Sequence, residues 1–327
     1  MPNRDLRLQA IADIAQDYRQ ADIGGVTPAR VDQWVRQFAP QVQEPILAEL
    51  EHVLRQTYFT RQYVTRFFSA LLTYDRLVGT DPGGFWSSTN FLNLQTAGNS
   101  QRDLLEIFDE QLRGQFNIGL NECGGEIGRY VYIDDALYSG GRIKSDISSW
   151  ISVSAPVNAT VFIITIARHT QGHFFAEKDL AKASKDAGKN IAFRWVSRYV
   201  IEDRNYYINV SDVLRPTHIP LDPATQAYMQ DLGTAPSLRV PGNVGGNGFF
   251  SSETGRNLLE QEFLTMGIRI RQMCPNLGAF QRPLGNTTHR KVGFGSTIVT
   301  FRNCANNAPL VLWVDAPWYP LFPRSTN

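Results

Sequence analysis

The chain has 327 residues, 43% of them hydrophobic and 19% charged, a globular composition that argues against a disordered or fibrous protein. Its formal net charge of +1 gives no global pull toward nucleic acid or a membrane surface, and no apolar run approaches the length of a membrane span. Three cysteines, Cys123, Cys274 and Cys304, form no CxxC pair, which suits a reducing cytosol better than a disulfide framework or a zinc site.

The opening "MPNRDLRLQAIADIAQDYRQ" is charged throughout and does not read as a signal peptide, so a cytoplasmic protein is expected. The first 75 or so residues read as helices. "TPARVDQWVRQF" starts with Thr27 as a cap and Pro28 at the first helical position, and Val31, Trp34, Val35 and Phe38 share one face. "EPILAELEHVLRQTY" and "TRQYVTRFFSALL" repeat the 3–4 spacing. The turn-rich "VGTDPGGFWSSTN" ends this run.

Strand and helix patterns then alternate. "FLNLQ" predicts a strand, "QRDLLEIFDEQL" a helix, "RYVYID" a strand and "GRIKSDISSWI" a helix. "ATVFIITIAR" predicts a strand buried on both faces, "FAEKDLAKASKDAGKN" a helix ending near Gly188, and "IAFRWVSRYV" a further strand. Strands separated by helices of about a dozen residues imply a parallel sheet with helices on its faces. After Asp203 the alternation stops: Pro- and Gly-rich loops lead to the capped helix "SSETGRNLLEQEFLTMGIRIRQM", and "GSTIVTFRN" with "PLVLWV" predicts a closing strand pair. Three segments follow from this reading: a helical region over 1–77, an α/β core over 78–214, and a mixed cap or sheet extension over 215–327.

The chemistry concentrates in "YVYIDDALYSGGR". In an open parallel sheet ligands sit beyond the carboxyl ends of the strands, and Asp134 and Asp135 lie at such an end. Two adjacent carboxylates repel each other and resist desolvation, and a vicinal diol or a magnesium ion relieves both problems. Ser139, Gly140, Gly141 and Arg142 then enter a helix, where backbone N–H groups, a hydroxyl and a guanidinium suit a phosphate. A ribose 5-phosphate fits the stretch from end to end.

This segment resembles the phosphoribosyl-diphosphate motif of type I phosphoribosyltransferases: a hydrophobic strand, two acidic residues, three variable positions, then Thr/Ser-Gly-Gly-Thr/Ser. The resemblance implies a phosphoribosyltransferase-like, Rossmannoid parallel sheet with a helical N-terminal extension and a mixed C-terminal cap. It implies that Asp134 and Asp135 hold the ribose hydroxyls and that Ser139 to Arg142 hold the 5-phosphate. It also implies a pyrophosphate loop after the first core strand, in the place of "QTAGNSQ", where Gln95, Gly98, Asn99, Ser100 and Gln101 are the candidates. The expected ligand is phosphoribosyl diphosphate or a nucleotide, with Mg2+ held through the ligand rather than by a side-chain cluster.

Two positions depart from the family pattern. Arg142 replaces the final Thr or Ser, and Tyr138 stands where purine-salvage members carry a base-contacting Asp. The helical lead-in, the core and the tail "GFGSTIVTFRNCANNAPLVLW" are further similar to phosphoribosyltransferase-like proteins of bacterial conflict systems. Some of those accompany retron reverse transcriptases as candidate antiphage effectors. That similarity implies an effector acting at the ribose anomeric carbon, as a glycosyltransferase or a nucleotide glycosidase or hydrolase. A reverse transcriptase–nucleic-acid complex or another defence protein is the implied partner. The alternatives are a non-catalytic module of the same fold that senses a nucleotide or binds nucleic acid or a partner, and an assembly component whose pocket is vestigial.

Lys178, Lys182, Lys185 and Lys189 step by four, three and four, which predicts one helical face. It reads as a solvated surface or as a contact stripe for nucleic acid or an acidic partner. His169, after the buried strand, is the histidine best placed for a general base or a cap.

Overall fold

The structure is a computed structural model that describes residues 4–96, 99–289 and 291–324. In chain order its first main elements are α1 (Arg4–Ile14), α2 (Pro28–Val35), α3 (Pro40–Thr57), β1 (Tyr58–Phe59), α4 (Arg61–Leu71) and β2 (Asn90–Leu92). Next come α5 (Ser100–Phe116), β3 (Arg129–Leu137), α6 (Gly141–Val153), β4 (Asn158–His169), α7 (Thr170–Asp186) and β5 (Asn190–Ile201). The C-terminal part contributes α8 (Glu253–Met273), β6 (Val299–Thr300) and α9 (Leu310–Trp313). Arg61–Val200 form one compact unit, and the described residues up to Thr60 together with those from Ile201 on form another. This division differs from the three segments drawn from the sequence, because the helical lead-in and the C-terminal third share a core.

The Arg61–Val200 unit is the α/β core. Its sheet runs in the order β2-β3-β4-β5. β2 pairs with β3 and β3 with β4 in parallel, with Leu92 opposite Tyr132 and Asp134 opposite Thr165. β5 runs the same way as β4: Asn190 N–H donates to the Val157 carbonyl at 2.7 Å, and Thr165 Oγ1 meets Ser197 Oγ farther along at 2.8 Å.

On one face of the sheet Leu92, Tyr132, Val161 and Ile163 pack with Ile143, Ile147, Trp150 and Ile151 of α6 and Ala176 and Leu180 of α7. Each such buried aliphatic or aromatic side chain contributes roughly 1.5–3 kcal/mol. Because strand side chains alternate, Phe91 points the other way. It joins an aromatic cluster with Phe108 of α5 at 5.4 Å and Trp86 at 6.1 Å. Phe68 of α4 completes that cluster, 5.4 Å from Phe108. β4 is buried on both faces as its unbroken apolar run predicts, with Val161, Ile163, Ile164, Ile166 and Ala167 all inaccessible.

In the other unit, α2 begins as expected: the Thr27 hydroxyl accepts from Arg30 N–H at 3.2 Å, and Pro28 occupies the first turn. The apolar faces of α2 and α3 are buried, and Trp34 donates its indole N–H to the Val311 carbonyl at 2.8 Å. Ser252 caps α8 by accepting from Gly255 N–H at 3.0 Å. Beside that cap, the buried Glu49 of α3 accepts from Ser251 N–H at 2.9 Å and from the Ser251 hydroxyl. Deeper in, Glu260 bridges Arg239 at 2.7 Å and Arg256 at 2.8 Å, all three side chains being fully buried.

The predicted closing strand pair is not formed. β6 is two residues long and pairs in parallel with β1, Tyr58 opposite Val299, while "LVLW" makes a helical turn after Pro309. Leu310, Val311 and Leu312 are completely buried and Trp313 nearly so, so no polar position interrupts the run to distinguish a strand from a buried helix.

Candidate functional site

β3 delivers both acidic residues to the carboxyl end of the sheet. Asp134 is buried and lies on the same face as Tyr132, two residues earlier, whereas Asp135 is half-buried. Asp134 makes no ion pair among the described residues. Its Oδ1 accepts the Asp135 N–H at 2.9 Å and its Oδ2 accepts from Gln95 Nε2 at 3.2 Å. Asp135 in turn accepts the Ala136 N–H at 2.7 Å. Burial and then the adjacent Asp135 charge push the Asp134 carboxyl up to about 7, against the hydrogen bonds that favour its ionised form.

The turn after the acidic pair is held from behind. Gly140 has φ +76°, a left-handed conformation that glycine adopts without penalty, and it caps α6. The Gly140 carbonyl accepts Lys144 N–H at 2.9 Å, so the preceding amides of the first turn have no carbonyl of their own helix to meet. Gly141 N–H has one weak partner, Ser139 Oγ at 3.4 Å. A Cβ on Gly141 would meet only that hydroxyl, at 3.5 Å, so the front of the turn is open to a close approach. Ser139 and Arg142 are exposed, and Arg142 makes no hydrogen bond or ion pair among the described residues. Its charge is felt by Asp146, one helical turn on, whose carboxyl burial pushes up and Tyr132 and Arg142 pull down.

The loop proposed for pyrophosphate is tied to the acidic pair through Gln95. Gln95 uses its whole amide: Oε1 accepts from Ser100 Oγ at 2.8 Å and Gln101 N–H at 3.1 Å. Its Nε2 donates to Asp134 and, at 3.3 Å, to the Tyr132 hydroxyl. Tyr132 donates onward to Asp146 at 2.8 Å. Gln101 is fully buried and its Oε1 accepts from Leu94 N–H at 2.6 Å and Gln95 N–H at 3.0 Å. The backbone amides of 94 and 95 are therefore already satisfied, as is that of Gln101, and of the described loop candidates Asn99 and Ser100 stand at the start of α5. Gly98 lies outside the described residues. Tyr132 and Asp146 were missed from sequence. The one available signal was Tyr132's placement two residues before Asp134, on the same strand face.

Other candidates fall elsewhere. Lys178, Lys182 and Lys185 are exposed on α7, but Lys182 pairs with Asp186 of the same helix, and Asp179 binds Lys144 of α6 at 2.6 Å. Lys189 is not on that face: α7 ends at Asp186, and the Lys189 ammonium donates to the Ile151 carbonyl in the last turn of α6. His169 is completely buried, its ring 5.4 Å from that of Tyr138. Its neighbour Arg168, at the carboxyl end of β4, donates to His173 Nε2 at 3.1 Å.

No curated protein matches the chain. The family model PRTase-CE matches residues 31–324, which include the lead-in from within α2 on, the whole sheet, the acidic pair, the glycine turn and most of the tail. With an α/β fold built on a parallel sheet, the chain belongs to the PRTase-CE family and is a phosphoribosyltransferase-like protein.

Proposed function

We propose that this protein binds a phosphoribosyl ligand, phosphoribosyl diphosphate or a nucleotide, at the carboxyl end of β3 and acts at the ribose anomeric carbon. The observation that carries this reading is a buried Asp134, in no ion pair among the described residues, beside an open glycine turn at the start of α6. Asp134 and Asp135 accept from the ribose hydroxyls and fix the ring. The first-turn amides of α6, Ser139 and Arg142 hold the 5-phosphate, and Asn99 and Ser100 face the leaving group. Substitution at an anomeric carbon passes through an oxocarbenium-like state, so these residues contribute orientation and charge stabilisation.

Magnesium fits this donor set only in company with the ligand. Two neighbouring carboxylates are hard oxygen donors, and no group of three or more metal-ligating side chains exists among the described residues. Asp134, Asp135 and phosphate oxygens would hold the ion, which supplies charge neutralisation. A setting in antiphage defence, with a reverse transcriptase, nucleic acid or another defence protein as partner, rests on the similarity of lead-in, core and tail to conflict-system proteins.

Calorimetry with phosphoribosyl diphosphate and Mg2+, followed by assay for released pyrophosphate, tests the reading. Binding with turnover is expected, and Asp134→Asn with Asp135→Asn abolishes it. Binding without turnover favours the sensing module instead. No binding by the wild type, with none gained on Arg142→Thr, overturns both. Loss of protection against phage in cells carrying the double Asn variant tests the defence setting.

A further inference from the structure

A cavity lies at the other end of β3, at the amino ends of the strands. Arg129 is the first residue of β3, five positions before Asp134, which places it roughly 16 Å away along the strand. It borders a cavity of about 520 Å³ walled by Phe85, Phe162, Ile127, Gly79 and Gly128, within the size range of small-molecule sites.

The Arg129 guanidinium stacks on Phe85, its carbon 4.0 Å from the ring centroid. Nη1 donates to the Phe85 carbonyl at 3.0 Å and to Ser88 Oγ at 3.2 Å. Those two bonds fix the plane of the group. Among the described residues Nε and Nη2 have no hydrogen-bond partner and no carboxylate pairs with the charge. Burial pushes its pKa down, the mark of a cation that has lost water without gaining a counter-charge.

Two more charges line the cavity, Arg76 and Asp75, both exposed and neither in an ion pair among the described residues. The lining therefore carries two cations and one anion, beside two aromatic rings set edge to face at 5.8 Å. A half-buried guanidinium fork next to apolar walls matches a small molecule with an oxyanion at one end and an apolar or aromatic body at the other.

We infer that this cavity binds a small organic oxyanion, an aryl or alkyl carboxylate or phosphate ester, with the oxyanion on Arg129 and Arg76 and the apolar body against Phe85 and Phe162. The inference is independent of the phosphoribosyl site, and both can be filled at once.

The test is titration of the full chain with phenyl phosphate, benzoate, inorganic phosphate and benzyl alcohol, read by ligand-observed NMR and calorimetry. At least one aromatic anion binds, and the tighter of the two identifies phosphate or carboxylate. Inorganic phosphate and benzyl alcohol bind about tenfold or more weakly, because each lacks half of the recognised chemistry. Arg129→Met weakens the aromatic anion about tenfold. Arg76→Met, at an exposed residue outside the core, weakens it several-fold without affecting folding, while Arg142→Ala leaves it unchanged. Failure of both aromatic anions to bind overturns the inference. So does binding that survives both Arg76→Met and Arg129→Met, or that is lost in Arg142→Ala.

Discussion

Gly140 and Gly172 face each other backbone to backbone. A Cβ on Gly140 would lie 2.8 Å from the Gly172 carbonyl oxygen, and one on Gly172 would lie 1.9 Å from the Tyr138 carbonyl oxygen. The turn after the acidic pair is thus set by contact with the first turn of α7, not by its own sequence alone. Gly172→Ala is expected to destabilise the protein by roughly 1–3 kcal/mol, as overpacking does, and to displace the turn. Gly141→Ala meets only the Ser139 hydroxyl, at an ordinary 3.5 Å, keeps the melting temperature at or above that of the wild type, and still weakens phosphoribosyl binding about tenfold by filling the approach. Melting curves and calorimetry on the two variants separate support of the turn from contact with the ligand.

Gln95 is one of the groups that ease the burial of Asp134, beside the Asp135 N–H and Ser100. Gln95→Leu removes a donor from Asp134 and an acceptor from Ser100 and Gln101, at a cost of roughly 1–3 kcal/mol. Without that donor the Asp134 carboxyl moves above about 7. A carbon-13 titration of the aspartate carboxyls reads the shift directly. An unchanged Asp134 titration in Gln95→Leu would contradict the role assigned to the amide.

Asp134 also ties stability to pH, with a sign that follows from its raised value. The folded carboxyl ionises near 7 and the unfolded one near 3.8, so between those values the folded state holds the extra proton. Stability from this group is present below the unfolded value and declines as pH rises through the folded one. Asp134→Asn removes the dependence. It should melt several degrees above the wild type at pH 8, at roughly 2–4 °C per kcal/mol, and lose that advantage progressively as pH falls to about 4. Phosphoribosyl affinity runs the other way in the wild type: it rises with pH through about 7, because the ionised carboxylate is the acceptor.

Glu49 closes the entry to α8. Its carboxylate receives Ser251 N–H and sits where a Cβ on Gly255 would fall, 2.0 Å from Oε2. A negative charge at a helix N-terminus is favourable, and the donors it satisfies are buried. Glu49→Ala should cost about 1–3 kcal/mol, read as a lower denaturation midpoint at an unchanged slope.

The α/β core was legible in the sequence because its signals are local. The unbroken run from Val161 to Ala167, the alternation around Tyr132 and the glycines at 140 and 141 each specify their element within a few residues. The acidic pair and the turn were legible for the same reason. What was not legible depends on distant partners. Leu310–Trp313 reads as a strand because every position is buried. Lys189 extends the helical spacing of Lys178, Lys182 and Lys185, yet Gly188, with φ +65°, follows the end of the helix and the lysine is recruited by Ile151. The Tyr132–Asp146 hydrogen bond joins residues 14 positions apart on different elements, and the Glu260 cluster gathers Arg239 from 21 positions away.

The unit that joins the residues up to Thr60 with those from Ile201 on has an implication for synthesis. Trp34 bonds to Val311 and Tyr18 to Pro323, so the lead-in helices meet their hydrogen-bond partners 277 and 305 positions later. On a translating ribosome the continuous Arg61–Val200 segment has its full set of strands while the opening helices still wait, apolar faces uncovered, for the tail to emerge. Premature termination anywhere in the last third would strand those helices, and quality control by chaperones and proteases would read them as unfinished.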